Sequence, residues 1–330
     1  MTTLLTAIMA LIIGIIGLVL GADKFVLGSA AAARKLGISP MVVGLTIVSV
    51  GTSAPEIIVS INAALNGAGE LAVGNAIGSN LANIGLVLGV TALIAPLPVK
   101  KHLLREESPV LLMVTLIAGL CLYDGMLGRV ESILLAMLMV PLLIAVVKYK
   151  GGNDVTVSEI ETDTAEFDTK SAIFWFLGGL AVLLISAKMT VWGAREIALY
   201  LGVSELVIGL TIIALGTSLP ELAASIASAL KGHHDIAVGN VFGSNLFNLL
   251  LVMSTAGAIS PINLSPNVML RDYLSMTFMT VLLVIFVAQA LWKEADLNVS
   301  ATISRRVGAI FLSGYIVYYG ILWTSLNFLG

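Results

Sequence analysis

The chain has 330 residues, 58% of them hydrophobic and 11% charged, with mean hydropathy +1.04 and a formal net charge of −3. A water-soluble globule carries roughly 25% charged residues to cover its surface, so most of this surface must face lipid. The charge leaves no basic footprint for nucleic acid. The single cysteine, Cys121, excludes a disulfide framework and a multi-thiolate metal centre.

A helix crossing the bilayer needs about 20 apolar residues. Ten segments meet this, near 3–35, 40–66, 71–96, 107–123, 129–147, 171–200, 205–230, 236–259, 273–292 and 306–327. Their apolar runs are continuous, without the two-residue alternation of barrel strands. The fold class expected is an all-α polytopic membrane protein of ten transmembrane helices in two five-helix repeats. The first and sixth segments, at roughly 30 residues and about 45 Å, are expected to tilt strongly. The N-terminal run has no positive start and continues too far for a cleaved signal peptide. Residues 149–170 read as a polar linker, leaving 1–148 and 171–330 as the two halves. With this linker in the cytoplasm, the loops on its side hold twelve Lys and Arg, including Arg34, Lys35, Lys170 and Lys231, against Arg129 and Arg271 opposite. That bias places both termini outside the cell membrane.

Residues 37–83 align without a gap to 202–248, at an offset of 165, with 26 of 47 positions identical. The identities fall on Gly, Ser, Asn, Pro and Glu: "GTSAPE" against "GTSLPE", then "GNAIGSN" against "GNVFGSN". Five spans per half is an odd number, so the second copy is expected to enter the membrane inverted. This is the plan of secondary transporters, with a substrate site near the midplane where the repeats meet.

The second span holds one charged residue, Glu56, and the seventh holds one, Glu221. An intramembrane carboxylate is costly and normally paired. The repeat helices offer no Lys or Arg partner, whereas a bound cation neutralises it. Ser49, Thr52, Ser53 and Glu56 share one helix face, repeated by Thr217, Ser218 and Glu221 with Ala214 in place of the first serine. Pro55 and Pro220 lack an N–H and break the preceding turn, which is expected to free carbonyls near Ser49, Thr52, Ala214 and Thr217. Asn75, Ser79 and Asn83, and then Asn240, Ser244 and Asn248, add amides and hydroxyls at four-residue spacing. Gly74 with Gly78, and Gly239 with Gly243, are small-residue pairs that allow close helix contact. All candidate ligands are oxygens, which suits Ca²⁺ or Na⁺ and disfavours zinc, copper or iron. Competition of the two ions for shared ligands is a physical basis for exchange. Two adjacent buried carboxylates repel each other, so protons are expected to compete as well.

The duplicated "GTSAPE"/"GTSLPE" and "GNAIGSN"/"GNVFGSN" motifs resemble the α-repeats of the calcium/cation antiporter superfamily, in its sodium/calcium exchanger branch. The resemblance implies Ca²⁺ extrusion coupled to Na⁺ entry, with the first and sixth helices sliding on a fixed core. It implies Glu56 and Glu221 as shared Ca²⁺/Na⁺ carboxylates, and Thr52, Thr217, Ser49 and Ala214 as carbonyl donors. Ser53, Ser79, Ser218 and Ser244 would be Na⁺ hydroxyl ligands and Asn83 an amide ligand. Asn248 stands where studied prokaryotic members carry an aspartate, so H⁺ or K⁺ coupling stays open beside Na⁺. Gly78 and Gly243 stand where the proton-coupled branch is expected to carry a glutamate.

Bland readings stand beside these. Asn75 and Asn240, and Asn80 and Asn245 off the stripe, read as structural amides. Lys24, Lys188 and Arg195 read as snorkelling side chains. Arg105–Glu106 and Arg271–Asp272 read as local ion pairs, and the linker acids as a solvated loop. His233 and His234 sit in a short loop. A serine hydrolase is disfavoured because no membrane-embedded His or Lys is placed to activate Ser53 or Ser218; a passive cation channel is the other rival. No tightly bound cofactor and no obligate protein partner is expected, only the transported ions and the bilayer.

Overall fold

The computed structural model describes residues 2–150, 168–203, 208, 211–212, 214–297 and 300–327. The expected linker falls largely outside these residues, as does part of the expected span 205–230. The described residues are mostly helical: α1 Thr2–Leu36, α2 Pro40–Thr52, α3 Ala54–Leu65, α4 Gly69–Ile94, α5 Ser108–Cys121, α6 Arg129–Lys150 and α7 Thr169–Tyr200. Then follow α8 Ala214–Thr217, α9 Leu219–Leu230, α10 His234–Ile259, α11 Val268–Ala295 and α12 Arg305–Asn327.

Seven of these helices are long and apolar enough to cross a membrane, and α2 with α3, bent by 45°, make an eighth. The chain is therefore a polytopic membrane protein with seven to eight such helices among the described residues, against the ten expected. The expected fourth span, near 107–123, corresponds to α5, which has only 14 residues and is preceded by a π-helical turn, Leu103–Glu107, that carries Arg105, Glu106 and Glu107. In the expected seventh span, the described part is the short pair α8 and α9.

The chain packs as two compact units, each drawing on both halves of the sequence: 1–55 with 141–243, and 56–140 with 244–330. In the first unit, α1 and α7 run antiparallel. Gly28 meets the Phe176 backbone, and Gly193 meets the backbone of Ala7 and Leu11. Gly14 meets Ser186 and Thr190, and Gly179 meets Lys24 and Phe25. Adding 165 to one position and subtracting it from the other turns Gly28–Phe176 into Gly193–Leu11, and Gly14–Thr190 into Gly179–Phe25. Leu18, Phe25, Val43, Val48, Leu183, Ala224 and Ile236 form the buried apolar cluster beside this interface.

In the second unit, α4 packs on α12, where Gly85 meets Tyr315 and Gly89 meets the Gly308 backbone. Two short antiparallel strand pairs tie the loops. Leu97–Pro98 (β1) lies opposite Thr302–Ile303 (β4), and Met126–Leu127 (β2) opposite Ile262–Asn263 (β3). The π-helical turns recur at the repeat offset: Asn83–Leu88 with Asn248–Val252, and Leu103–Glu107 with Val268–Tyr273.

Candidate functional site: buried carboxylates among oxygen donors

The helix breaks have a local cause. Pro55 and Pro220 cannot donate a backbone hydrogen bond, and each ring crowds the carbonyl four residues earlier. Helical geometry lapses two residues before each proline, at Ser53 (φ −83°, ψ 6°) and Ser218 (φ −88°, ψ 4°). A new helix starts after each break, with Glu56 and Glu221 in its first turn. The positive end of the helix dipole favours an anion there. Both glutamates are 1% exposed.

Ser-x-x-Glu before an apolar run is the spacing of a capping box, in which the serine satisfies its own helix. The structure does not use it that way. Ser218 makes no side-chain cap bond, and the Ser53 hydroxyl donates to Glu221 Oε1 at 3.1 Å. Thr52 Oγ1 donates to Asn240 Oδ1 at 3.2 Å. Asn240 Nδ2 donates to Ser225 Oγ at 3.0 Å and to the Glu221 carbonyl at 3.4 Å. Thus the first unit brings together Thr52 and Ser53 from one motif copy and Glu221 and Asn240 from the other. Glu221 Oε2 and Ser218 Oγ are buried and have no hydrogen-bond partner among the described residues.

Freed carbonyls were expected near the breaks. The Ser49 carbonyl instead accepts the Ser53 N–H at 2.9 Å and lies within 3.4 Å of the Thr52 hydroxyl, so the break does not orphan it. The Ser49 hydroxyl is turned back to the Leu45 carbonyl at 2.8 Å, the usual local satisfaction of a helical serine. Thr217 is half-buried, and Ala214 contributes backbone to α8.

In the second unit, Asn75 Nδ2 donates to the Glu56 carbonyl and to Ser60 Oγ, both at 3.3 Å. Adding 165 to these three positions gives Asn240, Glu221 and Ser225, so both copies hold their glutamate backbone in the same way. Asn75 and Asn240 thereby have the amide role of the bland reading, and Ser60 and Ser225 are site neighbours that the sequence reasoning missed. Their serine spacing of four after each glutamate was the available signal. Ser79, Asn83, Ser244 and Asn248 are all buried. Both amide atoms of Asn83, and Oδ1 of Asn248, lack a hydrogen-bond partner among the described residues. Each of these asparagines opens a π-helical turn, an irregularity common at functional sites. Asn80 donates to the Asn245 carbonyl at 3.3 Å. Gly239 and Gly243 lie against the backbone of α2, as small residues allow, whereas Gly74 and Gly78 meet nothing within 4 Å among the described residues.

The donors are carboxylate, hydroxyl and amide oxygens. Among the described residues no group of three or more His, Cys, Asp or Glu is assembled. The chemistry is that of hard cations. Arg271 and Asp272 form the expected local pair at 2.6 Å, outside this set.

Comparison with known proteins agrees with this chemistry. The family model described as "Sodium/calcium exchanger protein" matches residues 6–148 and 171–324. The chain is 41% identical over 326 residues to the putative antiporter CaxA of Alkalimonas amylolytica, covering 98% of this chain and 100% of that protein. It is 38% identical over 329 residues to the inner membrane protein YrbG of Escherichia coli K12, covering 98% of each. The solved structure of the sodium-calcium exchanger NCX_Mj, soaked with zero Na⁺ and Ca²⁺, superposes with a TM-score of 0.82 at 32% identity, covering 97% of this chain and 99% of that one. The family is one of transporters rather than enzymes, and this chain, a multi-pass cation antiporter, belongs to the sodium/calcium exchanger protein family.

Proposed function

We propose that this protein exchanges Ca²⁺ for Na⁺ across the cell membrane by alternating access. Ten spans form two inverted five-helix repeats, and both termini lie outside. The ions bind near the midplane, where the repeats meet. Glu56 and Glu221 are the shared carboxylates. Ser53, Ser79, Ser218 and Ser244 supply hydroxyls, Asn83 and Asn248 supply amides, and Thr52, Thr217, Ser49 and Ala214 supply carbonyls. The observation that carries the reading is the Ser53–Glu221 hydrogen bond at 3.1 Å between two fully buried groups, one from each copy of the duplicated motif. The likeness to NCX_Mj, a sodium-calcium exchanger, supports the same choice of ions, and that to CaxA, a putative antiporter, supports exchange.

One feature favours a second reading. Asn248 is neutral and 1% exposed, so it adds no charge to the set. Fewer charges hold fewer Na⁺ ions, which leaves H⁺ or K⁺ as the driving ion. The test is uptake of radiolabelled Ca²⁺ into proteoliposomes under imposed Na⁺, K⁺ or H⁺ gradients. Uptake driven by Na⁺ alone supports the first reading, and uptake driven only by K⁺ or H⁺ selects the second. Dissipation of a Ca²⁺ gradient with no counter-ion makes the protein a channel.

A further inference from the structure

Resting on that alternating-access reading, we propose that Asp23 and Lys231 are positioning residues that fix the register of the long helix α1 against the end of α9 in one access state.

The two faces of α1 differ in kind. Toward α7 the contact is interlocked: Gly14, Gly21 and Gly28 of α1, and Gly179 and Gly193 of α7, leave no room for a Cβ against the facing backbone. Such a pair moves as one body, because backbone pressed into backbone cannot slide without a clash. Toward α9 the surface is smooth. Leu219, Ala223, Ala224 and Ala227 join the apolar cluster that includes Leu18, Ala22 and Phe25 of α1. Three of these four α9 residues are alanines, which present little relief against translation along the helix axis.

At the end of that smooth face the contact becomes ionic. Lys231 is the C-cap residue of α9, and its Nζ lies 2.7 Å from Asp23 Oδ1. Lys24 lies 3.4 Å from the other carboxylate oxygen, Oδ2, and 5.1 Å from the Trp175 ring centroid of α7. Asp23 is thus held from both sides: by Lys24 and Trp175 within the α1–α7 pair, and by Lys231 from α9. A shift of one turn, about 5.4 Å, takes the carboxylate out of reach of Lys231.

The tie has no equivalent in the other half. Adding 165 to Asp23 gives Lys188, and subtracting 165 from Lys231 gives Asn66, two residues that cannot form an ion pair. In an architecture built from two inverted copies, the two access states are related by exchange of the copies. A contact present in one copy alone is a term that separates their energies.

The experiment measures Ca²⁺ transport in right-side-out and inside-out vesicles for wild type, D23N, K231Q and the charge swap D23K/K231D. The readout is the ratio of apparent Ca²⁺ affinities on the two faces. An ion pair of this exposure predicts a shift of about two- to fivefold, in the same direction for both single variants, and recovery in the swap. A merely structural role lowers activity equally on both faces. Hydrogen exchange of the α1 amides around Asp23 is measured on the same four proteins. It is expected to rise in both single variants and to return in the swap. An unchanged ratio in the single variants overturns the proposal. If the wild type moves no Ca²⁺ under any gradient, the transport reading fails and the exchange data alone decide the tie: equal rates in all four proteins end it.

Discussion

The Ser53 hydroxyl and the Glu221 carboxylate, 168 residues apart, meet at 3.1 Å with both groups buried. The carboxylate takes the Ser53 hydroxyl on Oε1, while Oε2 has no hydrogen-bond partner among the described residues. Neutral donors do not offset the desolvation of a full negative charge, which is the physical ground for proposing a cation at this site. Glu221→Gln and Glu56→Gln are expected to abolish Ca²⁺ uptake into Na⁺-loaded vesicles while the proteins still fold. Wild-type uptake in either variant would remove that residue from the site. Ser53→Ala leaves Glu221 Oε1 without this donor, at a cost of about 1–3 kcal/mol. It should appear as weaker apparent Ca²⁺ affinity rather than loss of transport.

Asn240 serves three groups at once: Thr52, Ser225 and the Glu221 carbonyl. Asn240→Leu keeps the volume and removes a partner from all three, although the Thr52 hydroxyl retains the Ser49 carbonyl at 3.4 Å. A loss of about 2–4 kcal/mol is expected, and thermal unfolding in detergent measures it. Asn75→Leu, at the equivalent but half-buried position, should cost less. Equal losses would mean that burial does not set the penalty.

Adjacent glycines of α7 are predicted to behave in opposite ways. A Cβ at Gly179 meets the Phe25 backbone, whereas one at Gly178 meets nothing within 4 Å among the described residues. Gly178→Ala should be neutral or slightly stabilising, since alanine favours the helix. Gly179→Ala should cost about 1–3 kcal/mol or more by overpacking. Melting temperatures of the two variants test the pair; equal values would contradict the interlocked interface.

Asp168 caps α7, its Oδ1 accepting the Ser171 N–H at 2.8 Å. That hydrogen bond to Ser171 holds the carboxyl below its ordinary value. The group is ionised in the folded state over a wider pH range than in the unfolded chain. Its contribution is therefore complete above the unfolded value of about 3.9 and is lost as pH falls through the lower folded value. Hydrogen exchange of the first turn of α7 should be faster in Asp168→Ala than in wild type at pH 7. The difference should vanish at strongly acid pH; its persistence there would show that the cap is not electrostatic.

Membrane residence, the positions of the helices and the paired Glu56 and Glu221 motifs were legible in the sequence, because hydropathy, proline breaks and a 165-residue repeat are local or self-referential signals. The span count was less so. A charged π-helical turn precedes the short α5, and the α2–α3 span is bent at Ser53, features that an apolar-run count passes over.

What only the tertiary structure decided is where short side chains go once the helices pack. Ser-x-x-Glu reads as a self-satisfying helix cap, yet Ser53 spends its proton on Glu221, because the motif copies meet and a buried carboxylate is the stronger acceptor. The Asp23–Lys231 tie joins residues 208 positions apart, a proximity that only the folded chain creates. Sequence determined which groups are available and which face of a helix they occupy; the fold determined their partners, because hydrogen bonds and ion pairs depend on distances that periodicity does not contain.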